Sequence, residues 1–428
     1  MNLFLAVLLA FVEPQMSSKK ASFDGKQCIL EDDVVLDHPF GRLTTDRAVL
    51  EKGDSDKLSF EKAWLEHHVE VALNSGALLK GKTAEVDLIQ KHLQFIGDVC
   101  YQETTGLKIY AEVAEATFEE VDSKFIAQSV KAKQSVKALF PEGRSVECSE
   151  AFYKPRIYFD LKGTLGEPCR ILDLDLDLKT SYGHLDLVKE EGVLADVVAD
   201  LKLPVAGVKS SLKLKADEIH FSEKTQIIDS KKKTFVASEA FSLKSELDQF
   251  KVKLGQNKQV EEAILNGQIQ ITGPKGQVLD CPGVLKLHEG KQQLVLKAHE
   301  GAFISCKTED LLVKASRARL FYKQVGQKFV AVKIELEDRV QLYDLRQNRK
   351  IYGKAHQAHM FLEDERLYLY GENTNRVLYV DESLDLMLSA PEVVVQKTEE
   401  GKLSVQGVGA VRFSLNDEES ALIEKIKK

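Results

Sequence analysis

A repeat constrains this chain more than any other feature. An apolar residue is followed seven places later by Gly, as in Val34…Gly41, Val69…Gly76, Val99…Gly106 and Ile269…Gly276. Gly often stands two places before the apolar residue, as in Gly97-Asp98-Val99 and Gly267-Gln268-Ile269. After the turn Gly comes a second pattern, apolar-x-small-x-x-small. It reads Leu43-x-Thr45-x-x-Ala48, Ile109-x-Ala111-x-x-Ala114 and Leu279-x-Cys281-x-x-Val284. Further copies start at Leu214, Val313, Gly353 and Leu388. Alternation such as Val69, Val71, Leu73 or Ile334, Leu336 has the period of a strand with one apolar face. Asn74-Ser75-Gly76 and Thr104-Thr105-Gly106 supply turns between consecutive strands. A pair or trio of such strands cannot bury its face alone, so neighbouring units must stack. The prediction is an all-β, antiparallel, elongated structure.

The second pattern carries a sharper expectation. Its apolar residue and first small residue share a face, whereas the second small residue lies at odd separation. It therefore faces the other way unless a bulge intervenes. Two longer segments align as well, Ala84 to Gly97 and Ala358 to Gly371, with Leu93 and Phe95 at the offsets of Leu367 and Leu369.

Copies thin out between 119 and 165. There Val121, Phe125, Ile126, Val130 and Val136 have spacings closer to a helix, and Pro141-Glu142-Gly143 closes the stretch. It reads as a partly helical insertion or linker, with a strand as the alternative. The division is then 22–118 and 166–415 as β repeats, 119–165 between them, and a short helix over 416–428. Asn416 and Glu419 form a capping box for that helix, with acidic residues at its start and Lys425, Lys427 and Lys428 at its end. At the N-terminus, Leu3 to Val12 is an apolar run of h-region size, so residues 1–21 read as a secretory signal peptide. No Lys or Arg precedes the run and no A-x-A follows it, and a buried N-terminal strand or a mis-called start codon is the other reading.

Composition narrows the function classes. Of 428 residues 43% are apolar, ample for a core, and the formal charge of −8 disfavours nucleic acid as a partner. Catalytic and metal patterns are missing. The six cysteines (Cys28, Cys100, Cys148, Cys169, Cys281, Cys306) contain no C-x-x-C, and Cys281, in a core position of the repeat, reads as a buried thiol. Asp173, Asp175 and Asp177 fail as a calcium loop, because the sixth and twelfth positions are Leu178 and His184. They read as the solvent side of a strand whose Leu172, Leu174, Leu176 and Leu178 point inward. His356 and His359, three apart in a strand, share a face only if the strand bends there. The chain has no G-x-S-x-G elbow, Walker loop or H-E-x-x-H. An enzyme is not expected, and neither a cofactor nor a metal.

FDGKQCILEDDVVLDHPFGRLTTDRAVL (Phe23 to Leu50) resembles the OstA-like family of lipopolysaccharide-transport proteins. So does the stretch from Lys350 to Leu415, with KAHQAHMFLEDERLYLYGE and VQGVGAVRFSL. The clearest family motif is Leu43-Thr44-Thr45-Asp46-Arg47-Ala48. The resemblance implies a folded-over β-jellyroll whose two layers enclose an apolar groove in the periplasm of a Gram-negative bacterium, free or membrane-associated. Lipopolysaccharide or lipid A would be its ligand, and other OstA-like domains its partners by strand-edge pairing. At ~0.8 kcal/mol per methylene, exposing an acyl chain of a dozen methylenes costs about 10 kcal/mol, which a continuous apolar groove removes without chemistry. On this reading Leu93, Phe95, Ile109, Ala111, Leu214, Leu296, Leu367 and Leu369 line the groove. The competing reading is a structural or adhesive β-repeat protein in which the same residues fill a closed core.

Overall fold

A computed structural model describes residues 15–414, apart from 39–40, 54–59, 88, 122–123, 142, 165, 206–207, 257–258, 289–292, 327, 346–350, 373–374, 383–385 and 399–402. The predicted signal-peptide core Leu3 to Val12 and the predicted helix 416–428 lie outside the described residues. Among those described, strands pair antiparallel throughout and no helix forms. The chain divides into two compact units, Met1–Val197 and Val198–Lys428.

In the first unit the long strands follow one another as a meander: Gln27–His38, Gly41–Lys52, Phe60–Leu73, Leu78–Asp87, His92–Gln102 and Lys108–Val121. None pairs with its neighbour in one unbroken register. Between Gln27–His38 and Gly41–Lys52, Glu31 opposes Arg47 and Val34 opposes Thr45, so Asp32 and Asp33 face Asp46 alone. This is a bulge, which bends the strand that carries it.

Five of the bends share one backbone solution. Two consecutive residues adopt the left-handed region at Asp32-Asp33 (φ 64, 53), His67-His68 (64, 52), Gly97-Asp98 (78, 48), Gln134-Ser135 (63, 53) and Asp338-Arg339 (62, 54). Each pair stands directly before a buried valine: Val34, Val69, Val99, Val136 and Val340. Gly97, noticed in the sequence two places before Val99, is the first member of such a pair, whereas Gly267 (φ 148) stands alone before Gln268. Elsewhere an ordinary side chain occupies the site at a cost of order 1–3 kcal/mol.

The partner strands show the complementary change. Along Gly41–Lys52 the buried residues are Gly41, Leu43 and Thr45, then Ala48 and Leu50. Burial skips from every second residue to a gap of three at the small residues. The same skip occurs in Ile109, Ala111, Ala114, in Leu214, Ala216, Ile219 and in Val313, Ala315, Ala318. A bulge does intervene, and the second small residue faces inward like the first. At Leu279-x-Cys281-x-x-Val284 the skip is missing: Cys281 and Leu285 are buried and Val284 is only half-buried.

Each bent strand thus contributes its two halves to different ladders. In the first unit, Val34–Asp37, Leu43–Thr45 and Val69–Leu73 belong to one, and Gln27–Glu31, Arg47–Glu51 and Lys62–Glu66 to the other. The second unit repeats the scheme. Val260–Thr272 pairs through one half with Leu243–Leu247 and through the other with Gln249–Lys253. Bends line one side of each unit, the corner, and hairpin turns line the opposite side, the rim.

The predicted helical insertion over 119–165 is corrected. Lys124–Leu139 is a strand paired along its length with Lys108–Val121, and Ser145–Lys154 pairs with it in turn. The stretch is another copy of the repeat: Gln134-Ser135-Val136, then Gly143 seven places on, then Val146-x-Cys148-x-x-Ala151, whose three named residues are buried. Only the first Gly of the pattern is replaced, by Gln134. The single aspartate-bearing strand is corrected too. Cys169–Asp173 and Leu176–Thr180 form a hairpin with Leu174 at its tip, 93% exposed. Leu178 is buried as expected, but Leu172 and Leu176 are half-buried. Asp177 receives two hydrogen bonds from Arg170, at 3.0 and 2.7 Å, and Asp173 lies 3.8 Å from Arg144.

If the left-handed pair sets the bend, Gly97→Val (φ +78) lowers stability by about 1–3 kcal/mol. Glu112→Val, on an exposed strand position, changes it by less than about 0.5 kcal/mol. Urea unfolding midpoints of the two variants check this.

Candidate functional site: an apolar cavity between the ladders

The two ladders of a unit face each other through their buried stripes, and the rim is where they come apart or meet. In the first unit the Tyr153 hydroxyl donates to Glu103 (3.1 Å) from the opposite ladder, and Tyr101 donates to the same carboxylate (2.8 Å). Phe140 meets Phe159 edge-on at 5.9 Å. The rim of the second unit is laced at three levels. Phe329 N–H donates to the Ala240 carbonyl (2.9 Å), Gln277 Nε2 donates to the Leu362 carbonyl (3.1 Å), and Lys397 Nζ lies 3.1 Å from Asp310. Each joins a turn of one ladder to the other ladder.

Beside the first of these levels the interior is not filled. A cavity of about 80 Å³ lies between the ladders of the second unit. One ladder supplies Leu212, Val236 and Leu243, and the other supplies Phe250, Val252 and Leu265. Among the described residues, Ser238 is the only hydroxyl-bearing one in the lining. Phe241 closes the rim side, stacked on Phe329 with centroids 4.6 Å apart and planes within 4°. Tyr322 meets the same Phe241 ring edge-on at 5.2 Å.

All eight sequence-predicted lining residues point inward and are buried. Leu93 and Phe95 sit in one ladder of the first unit and Ile109 and Ala111 in the other. Phe95 lies over Gly81, where a Cβ would come within 3.0 Å of its ring, so glycine allows this close approach. Leu367 and Leu369 face Val395 and Val393 across the strand pair. Leu214 and Leu296 belong to the strands that carry the cavity residues Leu212 and Leu294. The cavity lies one inward position nearer the rim than these two. None of the eight lines it. Phe250 and Val252 are out of phase with the alternation before them because of the bulge after Leu247, so that Leu243, Ser245 and Leu247 are followed by Phe250 and Val252; Leu265 continues the unbroken alternation of Ile269 and Ile271. A skip of three in an alternating segment is the signal that finds Phe250 and Val252, and plain alternation finds Leu265.

Polar groups elsewhere are tied into the fold. At the corner, buried Thr45 donates from Oγ1 to the Glu66 carbonyl (2.9 Å), with the His67 carbonyl at 3.0 Å, beside the left-handed pair that interrupts the ladder. Thr180 does the same for the Ala195 carbonyl, next to Asp196 (φ 52). Cys281 is buried and unbridged, as its place in the repeat implies, and burial pushes its thiol up to about 12. The strand at Ala355 to Ala358 does bend, leaving His356 near Glu372 (3.2 Å) and His359 half-buried. Among the described residues no group of three or more His, Cys, Asp or Glu is placed to hold a metal ion. No protein-family model matches the chain, and no curated protein matches it.

Tyr322 gives a stability test of the rim. Its buried hydroxyl has no hydrogen-bond partner among the described residues, and burial pushes its ionisation well above the ordinary tyrosine range. An unfolded tyrosine ionises near pH ~10. The buried one therefore contributes stability that is complete below that pH and is lost as pH rises from there toward the folded value. Tyr322→Phe keeps the ring against Phe241 and removes the unsatisfied group. It is expected to raise stability near neutrality by about 1 kcal/mol and to flatten the decline above pH ~10. Thermal midpoints measured across pH 8–11 check both. A destabilised variant with an unchanged alkaline slope contradicts the account.

Proposed function

We propose that the protein carries lipid in a bacterial cell envelope, sheltering the acyl chains of lipopolysaccharide or lipid A between the facing ladders while the sugars stay in water. The observation that carries this reading is the apolar cavity beside Phe241, bounded by both ladders. At about 80 Å³ it is roughly half the size of a ~150 Å³ cavity that takes up benzene, so it admits the end of a chain. Longer occupancy requires the Phe241–Phe329 stack and the Ala240–Phe329 hydrogen bond to part. Those contacts are few and lie at the rim, whereas the corners are continuous backbone. The OstA-like motifs at Phe23 to Leu50 and Lys350 to Leu415 support the same reading and, with it, a periplasmic site of action. Further OstA-like domains would add by pairing with free strand edges. The job asks for no bond making, hence for no catalytic residue or cofactor.

A second reading, a structural or adhesive β-repeat protein with a closed core, is favoured by the lacing of the rim at Ala240, Gln277 and Asp310. One titration separates the two. Lipid A added to the full chain is expected to displace an environment-sensitive naphthalene dye. Ala263→Phe, which fills the cavity, should weaken both ligands by about tenfold or more, equivalent to ~1.4 kcal/mol, with little change in the unfolding midpoint. Photo-crosslinkers at Val252, Phe95 and Leu369 would show which levels meet lipid. If the natural chain takes up neither dye nor lipid A, and no crosslinker captures lipid, the closed-core reading stands.

A further inference from the structure

Six cysteines allow fifteen sets of three disulfides, and strand register leaves one pair in reach. We propose that Cys148 and Cys169 form a cross-strand disulfide. Ser145–Lys154 runs antiparallel to Cys169–Asp173 with Ser145 opposite Leu172, Val146 opposite Ile171 and Glu147 opposite Arg170. The next step of that register sets Cys148 opposite Cys169. Directly opposed residues have Cα atoms about 4.5–5.5 Å apart. That lies inside the roughly 4.4–6.8 Å range a disulfide spans. Both side chains lie on the buried face, and their thiols interact with each other.

The other cysteines fail the same test. Cys306 opposes Leu279, and Asp280 opposes Ser305, so Cys281 comes opposite Ile304. Cys281 and Cys306 are therefore diagonal neighbours, about 7–8 Å apart and beyond bridging distance. The Cys306 sulfur rests instead on Met360 Sδ at 3.5 Å. Cys28 opposes Phe23 and Leu50, and Cys100 opposes Lys80 and Tyr110.

The location gives the bond a purpose. In most rungs of the first unit the bent strand crosses the corner in unbroken strand conformation. Here Tyr158–Lys162 and Cys169–Asp173 are the two halves of one bent strand, both paired with Ser145–Lys154, and 163–168 interrupt them. The disulfide staples the second half in place where ladder hydrogen bonding lapses.

The thiolate of one of the two cysteines attacks one sulfur of a disulfide-bearing oxidant, either glutathione disulfide or a protein dithiol–disulfide, and releases one thiolate. The other cysteine then gives up its proton and attacks the cysteine sulfur of that mixed disulfide, expelling the second thiolate. Two S–H groups become one S–S bond, and the oxidant is reduced to two thiols. In the folded chain Cys148 is 9% exposed and Cys169 0%, so exchange occurs before Cys169–Asp173 docks. The inference stands on register and is independent of the lipid-carrying reading.

The full chain, unfolded and refolded with glutathione disulfide, alkylated and digested without reduction, provides the test. The expected result is a peptide containing Cys148 joined to one containing Cys169, an intact mass lower by two hydrogens, and alkylation of the other four cysteines. The oxidised chain should melt roughly 5–10 °C above the reduced one. That difference should vanish in the double variant C148A/C169A. Recovery of six alkylated cysteines, or of any other joined pair, overturns the proposal. The peptide map of the unmodified chain decides the matter even if the double variant does not fold.

Discussion

Everything in this fold depends on a backbone constraint at the bend. A β-strand with one apolar face can serve only one sheet, because its side chains alternate and its inner stripe runs straight. To supply two facing ladders, a strand must turn and keep its apolar stripe on the inside of the turn. Two consecutive left-handed residues before a buried valine do both, and the partner strand answers with a skip of three between small residues. Asp32-Asp33 against Thr45 and Ala48 is the clearest instance. The strain at each pair is set against the burial of two apolar stripes where an unbent strand would bury one.

From that constraint follow the corner, the rim and the cavity. Corners are covalently continuous and locked by hydroxyls such as those of Thr45 and Thr180 on nearby carbonyls. Rims are held by side chains and single backbone hydrogen bonds, so any variation in how closely the ladders approach is accommodated there. The space beside Phe241 is such a place, where Leu212 and Val236 on one ladder stand off from Phe250 and Val252 on the other. On the proposed reading, a carrier of apolar chains would use this division between a covalently continuous spine and an edge held by few contacts.

Much of this was legible in the residues. The seven-residue spacing to Gly announced strands and turns, and alternation marked inward positions, so that Leu93, Phe95, Leu367 and Leu369 were placed on the buried face. The matched segments Ala84 to Gly97 and Ala358 to Gly371 share their turn geometry, with Lys91 and Glu365 left-handed at the same offset. The copy at Gln134 to Ala151 was illegible because the signal rested on Gly, and Gln134 takes the same conformation without it. Helical spacing at Val121, Phe125 and Ile126 then filled the vacancy with the wrong element. The cavity was illegible for a related reason: a bulge moved the inward phase between Leu247 and Phe250.

By itself the sequence determined the element type, the turns, the inward stripes and the absence of any recognisable catalytic pattern, since these follow from period and local residue chemistry. The tertiary structure alone decided where each strand bends, which cysteines stand opposite one another, and where the two ladders fail to touch. Those are relations between residues tens of positions apart. They depend on cumulative register, which a single bulge changes for every residue beyond it.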